Sequence, residues 1–248
     1  WLFFYPLEWA FSFITDTLVT INDEDYELAK KHMHAKQTIK INGIGVDVEK
    51  AWHVADKEKL SIRKKIRSEL EIPENAFLMS SIGELSNRKN HRVVLESLEK
   101  MDQERRQKIY YIVAGIGPNE DMLKKLAKSF NFDTHFKLLG YRSDIHSINY
   151  ASDISVFPSL REGLGIAGLE ASIDGTFLLA TNKGGVIDYV KEGVNGYLFQ
   201  PELPDALQRL IEESIERDKN LKKFEFLKSF DIKNVDKKML LVYGGYSR

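Results

Sequence analysis

The chain has 248 residues, 43% of them hydrophobic, and its 36 basic side chains nearly balance 37 acidic ones, for a formal charge of -1. This length and hydrophobic content predict a globular protein of one large domain, or of one domain with part of another. The even charge argues against a nucleic-acid-binding protein, which usually presents a basic surface. The absence of cysteine excludes disulfides, zinc–thiolate sites and a thiol nucleophile, and it is typical of a reducing compartment such as the cytoplasm.

Residues 1–14 are rich in aromatic and aliphatic side chains but include Pro6 and Glu8. The segment is shorter than the roughly 20 residues that a membrane-spanning helix needs, and it lacks the pattern of a signal peptide. Two hypotheses remain open for it: a helix buried against a segment that the chain lacks, or a helix that contacts a membrane surface. Because the chain begins with Trp1, we expect it to be a fragment of a longer protein.

The next segments predict a strand followed by a helix. Residues 16–21 (DTLVTI) have strand character, and Asn22 is a suitable cap for a helix that follows. The two glycines of residues 39–47 (IKINGIGVD) precede a strongly charged stretch, which indicates a domain boundary near residue 43. We therefore expect a first region at residues 1–43 and a second at residues 44–248.

Short apolar runs alternate with amphipathic segments in the second region. The runs are residues 76–82, 109–114, 135–139, 153–157 and 176–180, with a further extended run after the Asn-Gly turn at 195–196. This alternation predicts an α/β fold, a doubly wound parallel sheet joined by helical crossovers. Residues 201–243 are predicted to be helical, and ligands of such sheets bind at the carboxyl ends of the strands.

The loop after the first of these strands runs from Gly83 through Arg88 and Lys89 to Asn90, where a helix is predicted to start. Lys89 could supply a positive charge to a phosphate, while the helix N-terminus offers unpaired N–H groups. A solvated basic loop with an asparagine cap explains the same residues.

Two further loops carry weaker signals. Gly115 and Gly117 resemble part of a dinucleotide fingerprint, but Glu120 stands where its third glycine would be, which disfavours nicotinamide binding. These glycines indicate either a tight turn or a ligand that approaches the backbone. The loop at Gly140, Tyr141 and Arg142 says little by itself.

The loop at residues 158–171 (PSLREGLGIAGLEA) is the most specific. Glycines 163, 165 and 168 allow the backbone to approach a ligand where a helix begins, which is typical of a phosphate-binding N-terminus. Glu162 in the loop and Glu170 in the helix could accept hydrogen bonds from the vicinal hydroxyls of a sugar and a ribose.

No metal site is predicted. Asp23 and Asp25 form an Asp-x-Asp pattern, but acidic residues in a first helical turn are explained by the helix dipole. His32 and His34 are two residues apart and would point in different directions on a helix.

These segments resemble family 4 of the retaining glycosyltransferases, also called glycosyl transferases group 1, which have the GT-B fold of two facing Rossmann-like domains. The match rests on PSLREGLGIAGLEA, with seven residues between its two glutamates, and on GELSNRKNH, VAGIGP, LLGYRSDI, YASDISVFPS and GVNGYLFQP in the expected order. INDEDYELAKK and INGIGVD resemble the end of the family's acceptor-binding domain. The resemblance covers nearly the whole chain and implies that residues 44–248 bind the donor.

The resemblance implies a role for each matching residue. Lys89 would contact the donor diphosphate, Glu170 the ribose hydroxyls and Glu162 the transferred sugar. The backbone of Gly163, Leu164 and Gly165 would face the sugar and phosphates. The segment Gly140, Tyr141 and Arg142 would lie against the base, and the last helix, about 234–243, would pack back across the domain boundary. The catalytic pair would be Glu162 and Lys89.

The sequence departs from the family's pattern at three places. Many members have Arg after the glycine that matches Gly83, whereas this chain has Glu84, so that Arg88, Lys89 or helix ends must meet the phosphate charge. Residues 173–177 replace the usual small-Gly-x-Pro pattern. Most of the acceptor-binding domain, with its glycine-rich loop and histidine, is absent.

The activity that the resemblance implies is transfer of a sugar from a UDP- or GDP-linked donor to a glycan or lipid-linked glycan, with retention, in bacterial surface polysaccharide assembly. No further cofactor is expected. The location would be cytoplasmic, at the inner face of the membrane if contact occurs, and the sequence leaves the oligomeric state open. Two alternatives stay open: a nucleotide-binding module without turnover, and a nucleotide-sugar epimerase.

Overall fold

A computed structural model describes residues 4–217 and 221–244, so Trp1 lies outside the described residues. The helices are α1 (Phe4–Ser12), α2 (Asp23–His32), α3 (Val48–His53), α4 (Asp56–Glu69), α5 (His91–Glu99), α6 (Gln103–Arg106), α7 (Glu120–Ser129), α8 (Ile145–Ala151), α9 (Ile166–Asp174), α10 (Pro204–Ile215) and α11 (Ile232–Gly244). The strands are β1 (Thr17–Thr20), β2 (Gln37–Lys40), β3 (Phe77–Ile82), β4 (Ile109–Ala114), β5 (Phe136–Leu138), β6 (Ile154–Phe157), β7 (Phe177–Thr181) and β8 (Gly196–Phe199). Short 3₁₀ helices cover Gly184–Asp188 and Glu225–Phe230.

The chain divides into two compact units. The first comprises the described residues up to Glu49 together with those from Glu225 onward, and the second runs from Lys50 to Phe224. We predicted a boundary near residue 43 and a last helix that packs back toward the first domain; in the structure the units divide after Glu49, and α11 lies in the first unit. Long-range pairing joins these segments: the Val46 N–H donates to the Phe230 carbonyl at 3.1 Å, and the Ile232 N–H donates to the Val46 carbonyl at 2.9 Å.

The first unit contains a small parallel sheet. Strands β1 and β2 pair with Thr17 opposite Gln37, and α2 connects them. Asn22 caps α2, because its side-chain oxygen accepts a hydrogen bond from the Asp25 N–H at 2.7 Å. The predicted strand-to-helix unit is confirmed. Helix α1 exposes large apolar side chains, Phe4 and Phe11 among them, and both hypotheses about it stay open.

The second unit contains a six-stranded parallel sheet in the order β5-β4-β3-β6-β7-β8. With its strands counted along the chain, this is the 3-2-1-4-5-6 order of a doubly wound Rossmann-like fold. The predicted α/β class is confirmed, and each predicted run forms a strand within a residue or two of its predicted ends.

Helices cover both faces of this sheet, which explains why its strands are mostly apolar and largely buried rather than alternating. One core forms under α5, α7 and α10 and the other under α4 and α8. Buried side chains of these cores include Val94, Leu98, Leu123, Leu207 and Ile211 on the first face and Ile66, Leu78, Ile112 and Ile148 on the second.

A buried ion pair fastens α4 to the amino ends of β3 and β6. The Arg67 guanidinium donates to Asp153 Oδ2 at 2.9 Å, and the same oxygen accepts the Leu78 N–H at 2.7 Å. Both charged side chains are fully buried, so removal of either one would leave the other charge buried without this partner. Such a change lowers the free energy of unfolding by about 3–5 kcal/mol. This ion pair lies at the amino ends of β3 and β6, opposite the carboxyl ends, where ligands of such sheets bind.

Candidate functional site

The strand order of the sheet reverses between β3 and β6. In doubly wound sheets the crevice for ligands lies outside the carboxyl ends of the strands at this point. The loops that follow β3 and β6 meet there, because the Leu160 N–H donates to the Arg88 carbonyl at 2.8 Å. Two loops that are more than 70 residues apart in the printed sequence thus form one site.

Two cations of the first loop converge on one carboxylate of the second. Lys89 Nζ and Arg88 NH1 each lie 2.7 Å from Glu162 Oε1. The Lys89 and Glu162 side chains are only 15% and 12% exposed, whereas Arg88 is 53% exposed. Lys89 Nζ also lies 5.2 Å from the centroid of the Phe157 ring. The cluster keeps an excess of positive charge, which is suitable for an anion.

Glycines fix the backbone of the loop that carries Glu162. Gly165 has φ 78° immediately before α9, and its carbonyl accepts the Tyr189 hydroxyl at 2.8 Å. Gly184 has φ 68°, and a Cβ there would lie 2.0 Å from the Glu162 carbonyl oxygen. Gly163 accepts the Gly185 N–H at 3.1 Å. The loop is therefore held between the two neighbouring loops, and the start of α9 points its N–H groups toward the crevice.

Leu164, between these glycines, is buried, with 5% exposure. Its side chain packs into the core, so only its backbone is available for the ligand contact that the resemblance implies.

Glu170 lies at the start of the second turn of α9 and is half-buried. Burial raises the pKa of its carboxyl above the ordinary value, and Asp174 adds to this rise while His146 opposes it. His146 Nδ1 in turn lies 2.9 Å from Asp174 Oδ1. Within the described parts of the chain the Glu170 carboxylate has no hydrogen-bond partner, which leaves its oxygens available to ligand hydroxyls.

Glycines end three neighbouring strands side by side. The Gly83 N–H donates to the Ala114 carbonyl at 2.9 Å, and the Gly115 N–H donates to the Gly140 carbonyl at 2.8 Å. A Cβ on Gly115 would lie 1.9 Å from the Gly83 carbonyl, and one on Gly117 would lie 2.6 Å from the Leu85 carbonyl. Gly115 and Gly117 are therefore required because the backbone of the loop after β3 packs against them, a reason that differs from both interpretations of the sequence.

The loop after β5 offers backbone and an aromatic ring. Gly140 has φ 65°, and no atom lies within 4 Å of the position that its Cβ would take. Tyr141 is 78% exposed. The Arg142 guanidinium is held by Asp144, at 2.7 and 2.8 Å, and by Glu69 at 2.6 Å, and these ion pairs raise its pKa. Arg142 thus anchors the loop to α4, whereas the Tyr141 side chain is exposed and the space beside Gly140 is open.

Sequence reasoning missed two features of the site. The close contact between Gly184 and the Glu162 carbonyl was not predicted, although two consecutive glycines after a strand are a signal of close backbone approach. The contact between His146 and Asp174 was also missed, because it joins α8 to the end of α9. The altered segment at residues 173–177 does not disturb the fold: Gly175, with φ 94°, ends α9, and β7 starts two residues later.

In residues 4–217 and 221–244, no three His, Asp or Glu side chains form a group that could hold a metal ion. No helix in this part of the chain is long and apolar enough to cross a bilayer. The metal-independent site stays a prediction.

The doubly wound parallel sheet defines the class of the second unit as a Rossmann-like α/β domain. Residues 62–225 match the family described as glycosyl transferases group 1. The match covers more than half of the chain, and the chain belongs to this family.

Two curated relatives are similar over most of the chain. "Putative glycosyltransferase EpsD" of Bacillus subtilis (strain 168) is 33% identical over 214 residues, which are 86% of this chain and 55% of that protein. The UDP-Gal:alpha-D-GlcNAc-diphosphoundecaprenol alpha-1,3-galactosyltransferase of Escherichia coli is 29% identical over 212 residues, 81% of this chain and 52% of that protein. The chain thus spans about half the length of these relatives.

A solved structure shares the fold. Alr3699/HepE of Anabaena, crystallised in complex with UDP, superposes with a TM-score of 0.82 at 20% identity, over 93% of this chain and 64% of that one. The solved structures that share this fold are GT-B glycosyltransferases, which agrees with the predicted fold class.

Proposed function

We propose that the second unit is the donor-binding domain of a retaining glycosyltransferase of family 4, and that the first unit is part of its acceptor-binding domain. The donor would be a UDP- or GDP-linked sugar. The observation that carries the proposal is the convergence of Lys89 and Arg88 on Glu162, at the point where the strand order reverses.

The donor diphosphate would bind between Lys89, Arg88 and the N-terminus of α9. Lysine and arginine form charge-assisted hydrogen bonds with phosphate oxygens, and a helix N-terminus adds N–H donors and a favourable dipole. The backbone of Gly163, Leu164 and Gly165 lies at this end of α9. Arg88 would supply the second cation that Glu84 cannot provide.

The two glutamates would bind hydroxyls. An ionised carboxylate only accepts hydrogen bonds, so vicinal hydroxyls of a sugar or ribose are suitable partners. Glu162, beside the cations, would bind the transferred sugar, and Glu170, further along α9, would bind the ribose. The exposed ring of Tyr141 and the open backbone of Gly140 would lie near the nucleotide base. Gly83, which packs against the Lys89 side chain, would lie near the diphosphate.

In the transfer step the bond between the anomeric carbon and the phosphate oxygen breaks, and the acceptor oxygen bonds to the anomeric carbon on the same face. The acceptor proton goes to the departing diphosphate. Negative charge grows on the leaving oxygens, so Lys89, Arg88 and the α9 N-terminus would stabilise the transition state more than the ground state. This scheme needs no covalent intermediate with the enzyme.

The acceptor proposal is supported by the relatives. The Escherichia coli relative is named for galactosyl transfer to a diphosphoundecaprenol-linked sugar, which is a lipid-linked glycan. We infer an acceptor of this class and a role in bacterial surface polysaccharide assembly. Membership of a glycosyltransferase family disfavours the epimerase and offers no support for a module without turnover.

Calorimetric titration of the 248-residue chain with UDP, GDP, UDP-glucose and GDP-mannose tests the donor site. We expect one base to bind, and Lys89→Ala to weaken that binding about tenfold or more, since a hydrogen bond to a charged group contributes about 1.5–3 kcal/mol. Glu170→Ala should weaken it to a similar degree through loss of the ribose contact.

Lys124→Ala is the matched control, because it removes an exposed lysine that forms an ion pair with Glu120 within α7. It should leave the affinity unchanged. Absence of binding by a folded chain, or binding that neither Lys89→Ala nor Glu170→Ala weakens, would contradict the proposed site.

A further inference from the structure

Glu162 occupies the position of an anion between the two cations. A single carboxylate oxygen, Oε1, accepts both the Lys89 ammonium and the Arg88 guanidinium at 2.7 Å. Carboxylate and phosphate oxygens are interchangeable partners for these donors. In the structure the cations that would hold a diphosphate are therefore already bound by a side chain of the protein.

A diphosphate and Glu162 cannot both keep these contacts without bringing like charges together. The Glu162 side chain is only 12% exposed, so a carboxylate that loses its cationic partners is poorly hydrated and must find other donors. A free nucleoside diphosphate carries its hydrogen-bond donors on the ribose and the base, and it brings none on the far side of the phosphates, where the sugar would be. A sugar nucleotide brings hydroxyl groups next to the same phosphates, and these can donate to the carboxylate.

We propose that Glu162 is a specificity-determining residue: its carboxylate competes with the donor diphosphate for Lys89 and Arg88, so that the site favours an intact sugar nucleotide over the nucleoside diphosphate left after transfer. This rests on the proposed function and names how the same site discriminates substrate from product. Departure of the sugar returns the carboxylate to the two cations and promotes release of the diphosphate.

The backbone around Glu162 restricts this exchange to the side chain. Gly184 leaves no space for movement of the Glu162 carbonyl toward it, and Gly163 is hydrogen-bonded to Gly185. Leu160 is hydrogen-bonded to Arg88. Rotation of the glutamate side chain is thus sufficient for the change of partner, and the loop need not open.

The test is calorimetric titration of Glu162→Gln with UDP and UDP-glucose, and with GDP and GDP-mannose, beside the wild-type chain. The amide keeps the shape but removes the competing charge. We expect the nucleoside diphosphate to bind about tenfold more tightly, in line with the loss of charge-assisted hydrogen bonds that compete with it. The sugar nucleotide should gain less, so that the preference for it over the nucleoside diphosphate falls.

Glu96→Gln is the control, because it removes a surface carboxylate that pairs with Arg92 within α5. It should leave both affinities unchanged. If wild type binds a nucleoside diphosphate and Glu162→Gln binds it equally or less tightly, the competition is refuted while the donor site stands. An equal gain for both ligands refutes the specificity role. If a folded wild-type chain and Glu162→Gln bind no nucleotide, both proposals fail.

Discussion

His91, the first residue of α5, shows how burial sets the chemistry of a single residue beside the candidate site. Its ring is 3% exposed, with Nε2 3.2 Å from the Glu84 carbonyl oxygen. Burial lowers its pKa, hydrogen bonds to the backbone of Glu84 and Gly83 oppose this shift, and the nearby Lys89 adds to it; the resulting pKa is about 4. At neutral pH the imidazole is therefore uncharged, and Lys89 and Arg88 are the cations of this loop.

The lowered pKa of His91 predicts acid sensitivity. The native state binds the proton less readily than the unfolded chain, whose histidines titrate near pH 6.5. The contribution of His91 to stability is therefore complete above pH 6.5 and is lost as the pH falls toward about 4, by about 3 kcal/mol at most. Urea unfolding at pH 7 and pH 4.5 should show a smaller loss of stability in His91→Gln than in wild type. His53→Gln, which removes an exposed imidazole, should lose as much stability as wild type. An equal loss of stability between pH 7 and pH 4.5 in all three chains would contradict the prediction.

At the scale of elements, the loop between β6 and α9 depends on a turn contributed by another part of the sheet. The 3₁₀ helix after β7 begins at Gly184, against the Glu162 carbonyl, and Tyr189 at its end holds the Gly165 carbonyl. The loops after three neighbouring strands, β3, β6 and β7, thus determine where Glu162 lies, and the sequence motif around it accounts for only one of these loops.

Gly184→Ala should damage this arrangement. The left-handed conformation alone costs an alanine about 1–2 kcal/mol, and the contact with the Glu162 carbonyl adds an overpacking cost of about 1–3 kcal/mol. Gly193→Ala is the matched control, since Gly193 has φ 71° but no atom within 4 Å of its Cβ position. Urea unfolding should show Gly184→Ala to be less stable than Gly193→Ala by about 2 kcal/mol, and only Gly184→Ala should weaken sugar-nucleotide binding. Equal destabilisation by both changes would mean that the contact relaxes without cost.

At the scale of the whole molecule, the chain contains two compact units, and the proposed donor site lies entirely within one of them. Lys89, Arg88, Glu162 and Glu170 all belong to the unit from Lys50 to Phe224. A ligand that binds these residues stabilises the fold of that unit by mass action.

Differential scanning calorimetry tests this assignment. A nucleotide at about 100 times its Kd should stabilise the second unit by about 2.7 kcal/mol and raise its Tm by about 5–10 °C. Lys89→Ala at the same nucleotide concentration should show a smaller rise. An unchanged Tm for wild type at saturating nucleotide would place the binding site elsewhere.

The sequence by itself determined the class of fold and most of the candidate site. Apolar runs that alternate with amphipathic segments are sufficient to predict parallel strands with crossover helices, because this pattern follows from burial on both faces. The glycines before α9 predict a backbone that a ligand can approach, and Glu162 and Glu170 are predicted acceptors of hydrogen bonds. Both predictions depend only on residues that are close together in the sequence. The strand-to-helix unit capped by Asn22 belongs to the same group, since its signals lie within a few residues.

Only the tertiary structure decided the relations between distant segments. Three contacts each join residues from separate loops or helices. They are the ion pairs of Lys89 and Arg88 with Glu162, the close approach of Gly184 to the Glu162 carbonyl, and the ion pair between Arg142 and Glu69. The unit boundary after residue 49 depends in the same way on pairing between Val46 and the chain near Ile232. Local propensity carries no information about such contacts, because they form only when the order of strands in the sheet brings the loops together.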